Sequence, residues 1–473
     1  MFDKEIYIKR REKLKAEVKS GIALFLGNVE AAFNYPANTY SFRQDSHFLY
    51  FFGLNHPGFA GVIDFDNQTD IVFANDVDIE DIIWMGDQPT VKDMAAEAGI
   101  KNTAPYAELA IFIKAALDEG KHIHFLPPYR GETIIELSDL LNLVPGKVKA
   151  NMSPELIKAV VKLKEIKDDV EVAEIEKAVD IAYMMHTTSM KMAKPGMVEQ
   201  EIAGTIEGIS LALGGPVSFP IILSQDGQTL HNHDHSKVLK EGRMMVTDAG
   251  AETQQHYCSD ITRTVPVGGK FNDRQAGVYQ AVLDANIAAI KAIKPGVKYR
   301  EIHFLACRTL VDGLKKIGLM KGDSAAAVEA RAHTLFMPHG LGHMMGMDVH
   351  DMEGLGENYV GYDDNTTRAT EFGNAYLRLG KELKTGMVLT VEPGTYFIPA
   401  LIDQFREEGV YNEFINFDLV ETYKDFGGIR IEDDILVTET GYRILGKPIP
   451  KTIEEVEKTM SEPREWLKEK DFI

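Results

Sequence analysis

Short apolar runs punctuated by Gly, Asp, Asn and Pro set the rhythm of the amino-terminal part of the chain. GIALFLG (21–27), FAGVIDF (59–65), DIVFAN (70–75) and HIHFLPP (122–128) have the length and β-forming content of strands. Between them VKDMAAEAGI (91–100) and PYAELAIFIKAALDEG (105–120) read as helices. Strands alternating with helices predict an α/β domain whose sheet is mostly covered. A charged helical stretch, ELIKAVVKLKEIKDDVEVAEIEKAV (155–179), then leads into a second part. The boundary is placed near Lys167, giving domains of 1–167 and 168–473.

The second part contains an internal repeat. KPGMVEQEI (Lys194 to Ile202) returns as KPGVKYREI (Lys294 to Ile302), offset by 100 residues. In each copy a long amphipathic helix is predicted to end at the Lys, and a second to begin after the Glu-Ile. Pro and Gly stop the first helix and reverse the chain. K-P-G is a common terminator, so coincidence is the bland reading; the shared flanks and matched helices favour a duplicated half. Between the copies, GRMMVTDAG (242–250) and SDITRTVPVGG (259–269) predict a strand hairpin. Further strands, GMVLTVEPG (386–394) and GIRIEDDILVT (428–438), follow the second copy. Elements from both halves are expected to meet at a central sheet.

Composition narrows the function. At 473 residues the chain exceeds one ordinary core, and its 44% hydrophobic content suits a soluble globular protein. A net charge of -21 disfavours nucleic acid or an anionic membrane as partner. Only Cys258 and Cys307 occur, too few for a disulfide framework. The opening MFDKEIYIKRREKLKAE is charged throughout, and no apolar run approaches a membrane span. Cytoplasmic residence is the expectation.

The candidate chemistry lies in the second part. Asp248, Asp260, Glu392 and Glu432 each sit at a predicted strand end or beside Gly, and His343 lies in HGLGHMMGMDVHD. Turn chemistry alone would explain a single Asp beside Gly; it explains the set less well. Hard oxygen donors with one imidazole suit a pair of divalent cations such as Mn²⁺ better than a thiolate-type zinc site. In GIRIEDDI, Arg430 and Glu432 share one strand face, so that face is either wet or lines a polar cleft. His339 and His343 are four apart, as in a helical zinc motif, but Gly340 and Gly342 argue for a loop. His350 follows seven residues later. A second cluster, His231, His233 and His235, alternates as on one strand face and is an alternative metal site; substrate contact is preferred for His231.

With these residues on the page, the chain resembles the metal-dependent Xaa-Pro peptidases of the pita-bread fold, the group of prolidase and aminopeptidase P. YCSDITRT, HGLGHMMGMDVHD, VLTVEPGTYFI and GGIRIEDD stand in family order, and FRQDSHFLYFFGLNHPG resembles the group's non-catalytic domain. The resemblance implies an α/β amino-terminal domain followed by an α+β pita-bread catalytic domain with a pseudo-twofold repeat. It implies two divalent ions, Mn²⁺ first with Co²⁺ or Zn²⁺ as alternatives. Asp248, Asp260, His343, Glu392 and Glu432 would hold them, Asp260 and Glu432 bridging. Glu392, His339 and His350 match catalytic positions, and His231 and Arg430 match substrate-binding ones. Arg430 would either pair with a substrate carboxylate or orient Glu432.

The expected substrates are small proline-containing peptides, cut before proline. The long stretch between the two glutamates and the KPIPKTIEEVE segment (447–457) look more like prolidase, favouring an Xaa-Pro dipeptidase. The alternatives are an aminopeptidase P acting on longer peptides and an inactive binding scaffold. A homodimer or higher homo-oligomer is implied by the group alone. The interval from Asp248 to Asp260 is one residue longer than the group's usual pattern. That residue is expected as a bulge in AETQQHY (251–257), where it leaves the strand register intact.

Overall fold

The structure, a computed structural model, describes residues 1–464 and divides into two units, Met1–Lys164 with Gly354–Tyr359, and Glu165–Glu353 with Val360–Ile473. In the first unit the four apolar runs form strands Ile22–Leu26, Ala60–Asp64, Thr69–Phe73 and Ile123–His124, and a fifth, Asn102–Ala104, joins them. Their spatial order places Asn102–Ala104 at one edge and Ile123–His124 at the other. The two edge strands pair parallel with their neighbours, while the inner pairs are antiparallel. Ile22, Leu24, Val62 and Phe73 pack with Leu109 and Ile113 of the helix Glu108–Asp118, so that helix covers one face.

The stretch 155–179 is not one helix. It breaks into Pro154–Lys164 and Asp169–Met192. Asp168 is the reason: its carboxylate accepts from Glu171 N while Glu171 reaches back to Asp168 N, a reciprocal cap that begins a new helix.

The second unit realises the repeat in three dimensions. Helices Asp169–Met192 and Glu199–Leu213 in one half match Asp273–Ala292 and Tyr299–Lys316 in the other. The first helix of each pair stops two residues before the Lys, and the second starts before the Glu-Ile, which lies inside its first turn. Gly196 and Gly296 take φ of 89° and 85°, a left-handed bend that Gly adopts without the Cβ penalty. The turns are anchored alike. Gly196 N donates to Leu239 O and Glu199 N to Lys237 O, while Gly296 N donates to Leu383 O and Tyr299 N to Lys381 O.

Each half then contributes an antiparallel sheet. Met244–Ala249 lies between Ile222–Ser224 and Ile261–Pro266, and Asp433–Val437 lies between Val388–Val391 and Tyr442–Ile444. The predicted strand GIRIEDDILVT is interrupted at Ile431–Glu432. Gly428–Arg430 pairs with Gly394–Tyr396, whereas Asp433–Val437 turns to pair with Val388–Val391. The two sheets are stitched along that interruption: Glu432 N donates to Thr262 O, Arg430 N to Thr264 Oγ1, and Thr264 Oγ1 to Arg430 O.

The hairpin register is intact. Thr262 stands opposite Asp248 and Ile261 opposite Ala249. The connecting loop closes at its tip, where Thr253 N donates to Tyr257 O and His256 adopts a φ of 65°. This turn lies within AETQQHY (251–257), and the strand register is regular beyond it. The stretch holding His231, His233 and His235 is not a strand; His233 and His235 instead donate Nδ1–H to Ile221 O and Leu223 O. Those carbonyls spend the strand-face alternation on loop anchoring.

Two sets of buried charges in this unit are paired. Lys167 bonds Asp351 at 2.7 Å, and Glu165 accepts from Lys381 at 2.6 Å and Lys384 at 2.7 Å. Burial opposes ionisation of Glu165, but the two ammonium groups prevail and hold its carboxyl below the ordinary range. A depressed carboxylate stabilises the fold above its unfolded value and loses that contribution as pH falls through its folded value. Lys381→Met is thus expected to cost about 2–3 kcal/mol at neutral pH, because it leaves a buried charge half compensated. Urea unfolding should show this difference shrinking as pH falls below about 4.

Candidate metal centre

The site forms where strand ends from both halves converge. Asp248 comes from inside Met244–Ala249, Asp260 immediately precedes Ile261–Pro266, Glu392 follows Val388–Val391, and Glu432 sits in the interruption. His343 lies on a loop held against the second sheet: Thr390 N donates to His343 O, and His343 N donates to Thr390 Oγ1. No helix forms across HGLGH, as the glycines foretold. Gly342 shows why one is needed there, since a Cβ would come within 2.2 Å of Thr390 O and 2.5 Å of Tyr299 Oη.

The donors fall into overlapping groups. One ligand atom each from Asp248, Asp260 and Glu432 lie within 4.8 Å of one another, and so do those of His343, Glu392 and Glu432. Asp260, His343 and His350 make a third such group. Glu432 is thus common to the first two, and Asp260 to the first and third. His343 Nδ1 donates to Met344 O at 3.0 Å, and because a carbonyl only accepts, the proton is on Nδ1. The bare Nε2 lone pair then faces Asp260 Oδ2 at 3.2 Å and Glu392 Oε1 at 3.8 Å. A lone pair held against carboxylate oxygens is repulsive unless a proton or a metal cation lies between them.

The carboxyls repel one another as well. Burial, reinforced by Asp248, holds Asp260 well above its ordinary range. Glu432 is raised by burial and by Asp260 and Glu392. Burial also pushes Glu392 up to about 8, with Arg430 opposing and Asp260 adding. Asp248 Oδ1 is buried with no hydrogen-bond partner. Hard, crowded, under-neutralised oxygens with one bare imidazole nitrogen fit a pair of divalent ions.

Neighbouring side chains fix this set. The consecutive acids 432–434 have separate tasks: Glu432 accepts from Thr262 Oγ1, Asp433 pairs with Arg263 and Lys451, and Asp434 accepts from Asp260 N. Arg430 and Glu432 are buried and line a polar cleft. All three guanidinium nitrogens of Arg430 are engaged, by Asp248 at 2.6 Å, Tyr396 Oη at 2.8 Å and Thr262 Oγ1 at 3.1 Å. His339 donates Nδ1–H to Gly340 O and accepts from Tyr396 Oη at Nε2. Burial lowers it to about 3, so the ring is neutral. His350 stacks its ring 4.1 Å from that of His343, edge to face, and bonds Glu353 through Nδ1.

A cavity of about 220 Å³ opens onto the carboxylates, and His231, His339, His350, Arg378 and Phe219 share its wall. The structure therefore gathers all the residues singled out by sequence except His235; His233 reaches the wall without joining a donor group among the described residues. Tyr396, Thr262 and Arg378 were missed. Tyr396 and Thr262 lie in motifs already noted, but nothing in the spacing marks Arg378, which lies on a loop and pairs with Glu353 at 3.5 Å.

Comparison with known proteins agrees with this geometry. The model of metallopeptidase family M24 matches residues 173–439, and the aminopeptidase P amino-terminal domain matches residues 7–124. Human Xaa-Pro dipeptidase is 30% identical over 94% of this chain and 90% of its own length. The chain belongs to metallopeptidase family M24. A probable Xaa-Pro aminopeptidase of Aspergillus fumigatus is 32% identical, covering 88% of this chain and 87% of that one. Zinc-substituted Escherichia coli aminopeptidase P superposes with a TM-score of 0.80 at 27% identity, over 98% of this chain and all of that chain (100%). The amino-terminal domain followed by a pita-bread domain, expected from sequence, is the fold this family member has. As an M24 metallopeptidase the chain is a divalent-metal hydrolase. Among the described residues no helix is long and apolar enough to cross a membrane.

Gly342→Ala is expected to unseat His343. The clash with Thr390 O should lower stability by about 1–3 kcal/mol and cut metal bound at equilibrium dialysis, leaving the amino-terminal unit intact.

Proposed function

We propose that the chain is an Xaa-Pro dipeptidase, hydrolysing the bond before proline in small peptides with two divalent ions, Mn²⁺ first and Co²⁺ or Zn²⁺ as alternatives. The observation that carries this reading is the bare Nε2 of His343 turned into a knot of four carboxylates, three buried and Glu392 half-buried, at the end of a small cavity. The human relative named as an Xaa-Pro dipeptidase, similar over nearly the whole chain, supports the substrate class. Asp248, Asp260, His343, Glu392 and Glu432 would hold the ions, with Asp260 and Glu432 shared between them. When bound, such ions supply a nucleophilic water near neutral pH and polarise the carbonyl preceding proline.

The protein groups do the rest. Glu392 takes the proton of the attacking water and passes it towards the proline nitrogen, which has no N–H of its own in the tertiary amide. His350, whose Nδ1 is held by the ionised Glu353, lies on the cavity wall where its imidazolium form would stabilise the negative charge developing at the carbonyl oxygen. His231 contacts substrate from the cavity wall. With three of its N–H groups on Asp248, Tyr396 and Thr262, Arg430 serves as a positioning residue for Asp248 and Tyr396 in preference to reading the substrate carboxylate. His339, both nitrogens engaged, likewise positions Tyr396 in preference to transferring a proton. Arg378 is the cation on the wall suited to a dipeptide's carboxylate. Catalysis is assigned to 168–473 and a non-catalytic role to 1–167. Cytoplasmic residence and a homo-oligomeric state complete the proposal.

The second reading, an aminopeptidase acting on longer peptides, draws on the likeness to the Escherichia coli structure. Metal-stripped protein resupplied with Mn²⁺, Co²⁺ or Zn²⁺ and assayed on Gly-Pro and Gly-Pro-Ala separates them. A dipeptidase cleaves Gly-Pro by far the faster, and preference for Gly-Pro-Ala overturns the assignment. Glu392→Gln should lower kcat by about 10²-fold or more with folding unchanged. Arg378→Ala is expected to raise KM for Gly-Pro about tenfold, the equivalent of about 1.4 kcal/mol, and that for Gly-Pro-Ala much less. Arg430→Ala should lower turnover on both peptides alike.

A further inference from the structure

Away from the carboxylates the same unit buries a second group of donors of different character. His303 and Cys307 lie four residues apart on the helix Tyr299–Lys316, hence on one face, and His333 comes from the short 3₁₀ turn Ala332–Leu335. One ligand atom from each lies within 4.8 Å of the other two. All three residues are at most 1% exposed. Cys307 Sγ is 3.6 Å from His303 Nε2. A tetrahedral zinc with Zn–S of about 2.3 Å and Zn–N of about 2.05 Å requires S···N of about 3.6 Å.

A helix-internal S–H···N contact alone would explain the Cys307–His303 distance. It leaves the remainder unexplained. His333 Nδ1 is buried without a hydrogen-bond partner, and so is Asn374 Oδ1, although the Asn374 side chain bonds His303. Unpaired buried polar atoms of this kind cost about 1–3 kcal/mol each. No carboxylate belongs to the group, so nothing in it favours the hard ions suited to the first centre.

We propose that His303, Cys307 and His333 form a separate Zn²⁺ site, with the fourth position open to water or to Asn374 Oδ1. Binding releases the Cys307 proton to solvent, leaving a thiolate on the ion. The site ties the Ala332–Leu335 turn, six residues ahead of His339, to a helix of the second half. Two imidazoles with a thiolate select a softer ion than the oxygen-rich centre does, so the two sites can hold different metals at once.

The test uses the full-length protein, stripped of metal, filled with Mn²⁺ and then titrated with Zn²⁺ or Co²⁺. The expected result is about one additional zinc per chain retained in excess Mn²⁺, with one sulfur scatterer at the zinc X-ray absorption edge. Co²⁺ should give a thiolate-to-cobalt charge-transfer band that survives Cys258→Ser and disappears in Cys307→Ser. An all-nitrogen-and-oxygen zinc shell in the wild-type protein overturns the proposal, as does a band that follows Cys258. The wild-type absorption edge and the Cys258→Ser spectrum decide the question even where Cys307→Ser does not fold.

Discussion

Mutual repulsion among buried carboxylates is the constraint on which the catalytic unit turns. Asp248, Asp260, Glu392 and Glu432 approach closely at the cavity wall, where, among the described residues, Arg430 donates a guanidinium hydrogen bond into the cluster. Left alone, such groups would move apart, take up protons or draw in water. Proton uptake is the response left to Asp260, Glu392 and Glu432, whose carboxyls are all raised, because supports from behind hinder them from moving apart. Thr262 holds Glu432, Asp434 holds the Asp260 backbone, and Met344 O fixes the tautomer and plane of His343. The protein has built a set of negative charges that waits for a cation, and rigid supports keep it waiting.

The duplicated halves explain how those supports reach one place. Each half lays a strand ladder beside a helix pair, and the two ladders meet at the interruption in GIRIEDDI. Across that break Arg430 and Glu432 share Thr262 Oγ1, while Ile429 and Ile431 stay in the core at 0% exposure. Symmetry of the frame does not extend to its side chains. At equivalent positions Glu199 accepts from Gln225 N in one half, while Tyr299 donates to Thr390 O in the other. Only the second contact lies behind the metal centre, and it is the one that Gly342 must clear.

The proposed soft site and the carboxylate centre illustrate how donor chemistry separates metals within one fold. One set is rich in anionic oxygen beside an open cavity; the other is a closed group of two imidazoles and a thiol. Affinity order alone would let zinc dominate both, so discrimination has to come from ligand type and geometry.

Much of this was legible along the chain. Strand ends beside Gly marked Asp248, Asp260, Glu392 and Glu432, and the paired glycines of HGLGH ruled out a helix, because periodicity and turn chemistry are local properties. The repeat declared itself at Lys194 and Lys294 for the same reason. Local pattern could not say that the 155–179 stretch breaks at a cap, that His231, His233 and His235 lie on a loop, or that Arg430 is tied to Asp248, Tyr396 and Thr262. Those outcomes depend on partners far away in sequence: Leu223 O for His235, and Tyr396 and Asp248 for Arg430. The sequence by itself determined which donors exist and which strand ends and loops carry them. Only the folded chain decided their spacing, protonation and neighbours, since repulsion and hydrogen bonding act through space between residues that the chain keeps hundreds of positions apart.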